Sequence, residues 1–294
     1  MTASAGVLAT PALSLATPAK KRVLRIAHLT DIHVQPEGKA PLGFEKCLEH
    51  AQSKKPDLIL TGGDLIMDAL AASRESTQQQ WDVFFRVLKA NASVPVKHSI
   101  GNHDVWGWGD RAKYATEPGF GKKWACDLLG LAKPYYSFDQ AGWHIVVLDS
   151  THPVDGNGYT ARLDEEQFEW LASDLASTKK PVMVLSHIPI LGVCSQFDGQ
   201  NEKTGNWVIP GSYVHIDARR IKDLFLKHKN VKLCISGHEH QLDSVVYNGV
   251  TYICNGAVSA NWWNGRYFEC DYGYALVDLF DDGTFANTYV PYRF

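Results

Sequence analysis

Short apolar runs, each closed by small or polar residues, alternate along the chain with longer stretches of helical spacing. Val23 to Thr30 (VLRIAHLT) reads as a first buried strand, ending in Asp31-Ile32-His33. Leu42 to Ser53 has helical spacing, and Asp57 to Thr61 returns as a strand closed by Gly62-Gly63-Asp64. Ser73 to Ala90, carrying Trp81, Phe84, Phe85 and Leu88, reads as an amphipathic helix. Val94 to Ile100 is a third strand, followed by Gly101-Asn102-His103-Asp104. Strand, helix, strand, helix, strand is the signature of parallel βαβ units.

The second half repeats the pattern less regularly. Tyr135 to Phe138 and Trp143 to Leu148 read as hairpin partners around Gln140-Ala141-Gly142, and Asp164 to Ala176 as a helix. Pro181 to Leu185 predicts a buried strand ending in Ser186-His187-Ile188-Pro189. Asp217 to Lys229 predicts a helix, and Val231 to Ile235 a strand ending in Gly237-His238-Glu239-His240. Ser244 to Ala257 and Tyr274 to Val290 alternate as antiparallel strands do, and together predict a second sheet closing a sandwich. Between the strand at Pro181 to Leu185 and the helix at Asp217 to Lys229, Gly192 to His215 is a long polar connection of the kind that is functional or disordered.

Composition changes this picture little. The 294 residues are 45% apolar and 21% charged, those of a globular protein. Net charge −3 and a pI near 6.4 provide no basic footprint for a nucleic-acid polymer. None of the six cysteines forms a C-x-x-C pair, which excludes a zinc ribbon or a thioredoxin-like motif and leaves disulfide connectivity open. Residues 1 to 20 are set apart from a single domain at 21 to 294. They are poor in charge, repeat Leu-Ala-Thr-Pro-Ala at Leu8 and Leu15, and are broken by Pro11 and Pro18, so they make no membrane span. Two readings stand: a flexible tail on a cytoplasmic protein, or the back half of an export signal on a periplasmic or exported one. A homodimer is compatible with the sequence, which does not determine oligomeric state.

Candidate chemistry gathers at the strand ends, where open α/β sheets keep their sites. Asp31, His33, Asp64, Asn102, His187, His238 and His240 supply carboxylate, imidazole and amide oxygen ligands without thiolate, suited to two ions of Mn, Fe or Zn. Asp31 and His33, two apart on an extended backbone, would point to the same side and grip one ion together. His28, His98 and His144 lie within strands and read as core residues. His103 is a proton-carrying group, and Asp104 a carboxylate able to fix its tautomer. Trp106, Trp108, Trp262 and Trp263 are the candidate substrate-binding residues.

D-x-H, G-D, G-N-H-D, S-H-x-P and G-H-x-H, in this order over residues 25 to about 260, resemble the calcineurin-like metallophosphoesterase superfamily. The resemblance implies a four-layer αββα sandwich of two mixed β-sheets flanked by helices, with a dinuclear site at the strand ends. By motif it implies Asp31, His33 and His240 on one metal, Asn102, His187 and His238 on the other, Asp64 bridging, and His103 and Asp104 left for catalysis. The purple acid phosphatase pattern has Gly and Tyr where this chain has His33 and Met67, so a tyrosinate-iron chromophore is not expected. The first block and Gly63-Asp64-Leu65 are more similar to the bacterial class III cyclic-nucleotide phosphodiesterase branch.

The implied activity is hydrolysis of a small-molecule phosphate ester by hydroxide attack on phosphorus at two metals, with His103 assisting the leaving group. Few Lys or Arg lie near the motifs in sequence, which favours a small organic or nucleotide-like diester over a monoester, the alternative. A third reading, a non-catalytic metal-binding scaffold, is disfavoured because every ligand position is intact.

Overall fold

The computed structural model describes residues 20–197 and 201–294; the segment read as a flexible tail or export remnant lies outside them, apart from Lys20. In chain order the strands are β1 (Arg22–Leu29), β2 (Leu58–Gly62), β3 (Val96–Ser99), β4 (Tyr136–Gln140), β5 (Trp143–Leu148), β6 (Thr151–Pro153), β7 (Tyr159–Ala161), β8 (Val182–Ser186), β9 (Val231–Ser236), β10 (Asp243–Tyr247), β11 (Val250–Cys254), β12 (Gly273–Phe280) and β13 (Phe285–Pro291). The helices are α1 (Ala40–Ser53), α2 (Arg74–Asn91), α3 (Arg111–Tyr114), α4 (Lys123–Leu129), α5 (Glu165–Ser177), α6 (Asn201–Thr204) and α7 (Ala218–Lys227). Ser73 and Asp164 set the starts of α2 and α5, their side chains accepting from the N–H groups of Ser76 (3.1 Å) and Gln167 (2.8 Å).

Two mixed sheets carry the fold. One runs β13-β12-β1-β2-β3, the other β10-β11-β9-β8-β5-β4, with β1, β2 and β3 parallel in the first and β5, β8, β9 and β11 parallel in the second. Strand alternation explains the layers. Leu24 and Ile26 join Ile145, Val147, Met183, Leu185 and Leu233 in a core between the sheets. Ala27 and Leu29, facing the other way, pack on α1 and α2 through Phe44, Leu48, Trp81 and Phe84. Val146, Leu148 and Val184 pack on α5 and α7 through Leu171, Leu175, Ile221 and Phe225. The result is the expected αββα sandwich, and strands buried on both faces explain why they read as continuous apolar runs.

One expectation is corrected. The two C-terminal hairpins do not form a sheet together: β10-β11 extends the second sheet through β9, whereas β12-β13 joins the first through antiparallel pairing with β1. Alternation specifies a strand's faces and not its neighbour. Among the described residues no helix is long and apolar enough to cross a membrane.

Candidate metal centre

Five of the seven candidate ligands sit on left-handed backbone: Asp31 (φ 55°), His33 (47°), Asp64 (50°), His238 (72°) and His240 (55°). Such angles are unfavourable for non-glycine residues and concentrate at functional sites. They also correct the expectation that Asp31 and His33 converge by strand alternation. The turn after β1 does it, with Asp31 N donating to Gly63 O and His33 N to Asp64 O, both at 3.0 Å. Two glycines permit the close approach. At Gly63 (φ 95°) a Cβ would lie 2.6 Å from His187 Nδ1, and at Gly101 one would lie 2.2 Å from Asp64 Oδ1. Gly101→Ala is therefore expected to displace Asp64 and lower metal content while circular dichroism stays native; full metal loading would show that the turn yields.

The candidate ligands meet in two clusters, linked by a third group of His33, Asp64 and His103. Asp31, His33 and His240 form one, Asp64, His187 and His238 another, and in each the possible ligand atoms lie within 4.8 Å of one another. Asp64 faces both: its Oδ2 lies 3.7 Å from His33 Nε2 and 3.2 Å from His187 Nε2, while its Oδ1 accepts from His103 N at 2.8 Å. Asn102 Oδ1 completes the second cluster, 3.2 Å from His187 Nε2.

The donor set fits cations. His187 Nδ1 lies 2.8 Å from Gly62 O and His240 Nδ1 2.5 Å from Ala260 O; a carbonyl only accepts, so these nitrogens carry protons and Nε2 of each ring is the nitrogen left to face a cation, in His187 once its Nε2 proton is displaced. His238 is held in reverse. Its Nε2 meets Ser212 O at 2.9 Å, and its Nδ1 is buried with no hydrogen-bond partner. His33 Nε2 and His240 Nε2 stand 3.1 Å apart, a lone-pair contact that a shared cation reconciles. Burial drives His33 down to about 3 and His238 to about 4, so both are neutral ligands at pH 7. Burial acts in the same direction on His187, but the Asp64 charge outweighs it and holds this group at about 9.

The pair read from the sequence as catalytic is rearranged. Asp104 does not touch the His103 imidazole; its buried carboxylate accepts from the N–H groups of Leu65 (2.8 Å), Ile66 (3.3 Å) and Gly101 (2.9 Å), tying the second and third strand ends together. Burial and the Asp64 charge push its pKa up to about 7. The carboxylate beside His103 is Asp68, with Oδ1 3.3 Å from Nδ1 though not aligned as a hydrogen bond. Gln80 of α2 brackets Asp68, accepting from its N–H at 2.9 Å and donating to its carbonyl at 3.1 Å. Burial lowers the His103 pKa, but Asp64 and Asp68 together raise it to about 9. An acidic residue in a loop is ordinarily solvated, so the sequence held no signal for Asp68.

Of the four tryptophans, only Trp262 lines the cleft above the centre, stacked on His240 with ring centroids 4.3 Å apart. Trp106 is buried against Tyr114 and Trp124, its Nε1 donating to Ala72 O. Trp108 is buried beside Lys122 and lines a different pocket. Trp263 packs on Tyr272 and Phe294 and donates Nε1 to His33 O at 3.0 Å, supporting a candidate ligand from behind. Indole rings with apolar neighbours and one carbonyl acceptor are satisfied in a core. The walls instead come from Tyr159, Tyr213, Tyr267 and Phe268. The long polar connection supplies Tyr213, and the Ser212 carbonyl that orients His238. The three histidines read as core lie within strands: His98 meets Thr61, His144 meets Asp139 and Asp174, and His28 meets Asn255 through Nδ1 while its Nε2 is buried without a hydrogen-bond partner.

A family model described as calcineurin-like phosphoesterase matches residues 24–242. A probable cyclic nucleotide phosphodiesterase of Synechococcus is 27% identical over 231 residues, covering 74% of this chain and 74% of that protein. Purple acid phosphatase 22 of Arabidopsis thaliana is 26% identical over 217 residues, 70% of this chain but only 44% of that larger protein. A dimetal phosphatase from Danio rerio shares the fold, with TM-score 0.63 at 15% identity over 93% of this chain and 100% of that one.

Proposed function

This chain belongs to the calcineurin-like phosphoesterase family and is a metal-dependent phosphoester hydrolase, and from that premise we propose that it is a phosphodiesterase acting on a small organic or nucleotide-like diester. The observation that carries the reading is the lining of the cleft. Tyr159, Tyr213, Trp262, Tyr267 and Phe268 surround the centre, and none of the described lining residues is Lys or Arg. A monoester dianion calls for added cationic donors, whereas a diester has one charge and two substituents that need surface to rest on. The cleft volume of about 190 Å³ suits a compact ester. The name of the Synechococcus relative, a probable cyclic nucleotide phosphodiesterase, supports the same substrate class.

In this reading Asp31, His33 and His240 hold one ion and Asn102, His187 and His238 the other, with Asp64 shared. Bound there, two ions supply Lewis-acid charge and a lowered water pKa. Mn, Fe and Zn all suit the donors. The rest falls to the chain. His103 turns Nδ1 toward Asp68, leaving Nε2 to donate to a phosphoryl or leaving-group oxygen. Trp262 and Tyr267, beside His240, present ring faces and edges on which a planar substituent stacks.

The test is a paired assay of bis(p-nitrophenyl) phosphate and p-nitrophenyl phosphate on Mn²⁺-loaded protein, before and after chelation. Diester turnover is expected to dominate and to vanish with chelator. Trp262→Ala should lower diester kcat/KM by roughly two- to tenfold, the range for one aromatic contact. Monoester preference, or indifference to Trp262, would refute the assignment, and no metal-stimulated turnover on either ester would favour a scaffold.

A further inference from the structure

Next to the cleft lies a second pocket of about 480 Å³, sharing Phe197, Gln241 and Phe268 with it. Val193 and Leu242 add apolar wall and buried Cys194 adds floor. Phe197 is 74% exposed, Phe268 59% and Leu242 44%, an unusual grouping of large apolar side chains at the mouth of a polar centre. Phe268 is held at φ 46°, a conformation unfavourable for a bulky residue and kept where the surroundings impose it. Asp243, which also lines the pocket, is committed to backbone: its carboxylate accepts from Val193 N (2.6 Å), Cys194 N (3.1 Å) and Cys254 N (3.2 Å), fastening the apolar wall to the start of β10. Glu269 also lines it and none of the described lining residues is a cation, so nothing there receives a second anionic group.

We propose that this side pocket takes the second ester arm of the substrate and that the arm is an uncharged hydrocarbon chain or ring, which makes the substrate class an amphiphilic phosphodiester. Continuity with the cleft names the occupant: a molecule whose phosphate lies at Asp64 and His103 has one substituent stacked at Trp262 and the other entering between Phe197 and Phe268. The inference rests on the diester reading above and goes beyond it in assigning the chemistry of one arm.

The experiment uses the Mn²⁺-loaded chain and a series of alkyl p-nitrophenyl phosphates, from methyl through butyl and hexyl to octyl, below their micelle concentrations. Water adds at phosphorus, the P–O bond to p-nitrophenolate breaks, the alkyl P–O bond stays intact, and alkyl phosphate and p-nitrophenolate are both released with the water's proton. Each methylene that enters the pocket should raise kcat/KM about two- to fourfold until the pocket is full. Leu242→Asp and Phe268→Ala, both at exposed positions, should flatten that slope. A flat series in the wild type, or a slope unchanged in both variants, overturns the side-pocket assignment while methyl-ester turnover leaves the diester reading in place. Hydrolysis of p-nitrophenyl phosphate with no turnover of any diester would overturn the reading and this inference together.

Discussion

Asp64→Ala is expected to empty both metal positions at once, lowering bound metal from two per chain to near zero and turnover by about 10³-fold or more, the equivalent of several kcal/mol of lost Lewis-acid stabilisation. The geometry behind this is particular to Asp64. Its Oδ2 faces His33 at 3.7 Å and His187 at 3.2 Å, one in each cluster, and no other candidate carboxylate does so. Its Oδ1 also holds the backbone N–H of His103, so the substitution strips a partner from the turn that carries His103. His33→Ala touches chiefly one cluster and should lower metal content toward one. Metal analysis of the purified variants decides between them. A wild-type stoichiometry near one, or an Asp64→Ala protein that keeps an ion, would refute the shared role.

The second large effect separates proton chemistry from ligation. His103→Ala should retain its metal and lose about 10²- to 10⁴-fold in kcat, as expected for removal of a positioned acid. The loss should shrink as the leaving group becomes a better anion, because such a group has less need of the proton. Asp68→Asn should cost less, about tenfold, and move the pH profile, since it removes the charge beside Nδ1 and leaves the imidazole in place. A His103→Ala protein as depleted of metal as His240→Ala would place His103 among the ligands instead.

Asp104 and Asp68 show where sequence reasoning stopped. Adjacency suggested that Asp104 orients His103, yet neighbours in a tight turn point apart. Here Asp104 turns inward to three N–H donors and His103 turns outward to the cleft. The tryptophans teach the same lesson. Four of them lay near the motifs, but three found apolar neighbours in the core or lined another pocket, and the cleft took its walls from tyrosines and Phe268, which carried no motif signal.

What the sequence determined by itself is local: strand runs set by alternation and burial, helices set by apolar spacing and the Ser73 and Asp164 caps, and the placing of Asp31, His33, Asp64, Asn102, His187, His238 and His240 at strand ends. These follow from interactions within a few residues and are written in periodicity. Tertiary structure decided which sheet received each C-terminal hairpin, which carboxylate stands beside His103, which nitrogen of each histidine faces the centre, and which rings wall the cleft. Each of these depends on contacts between segments far apart in the chain, such as His240 with Trp262 or Asp31 with His238. Their energies come from burial and hydrogen-bond geometry that exist only once the two sheets have packed.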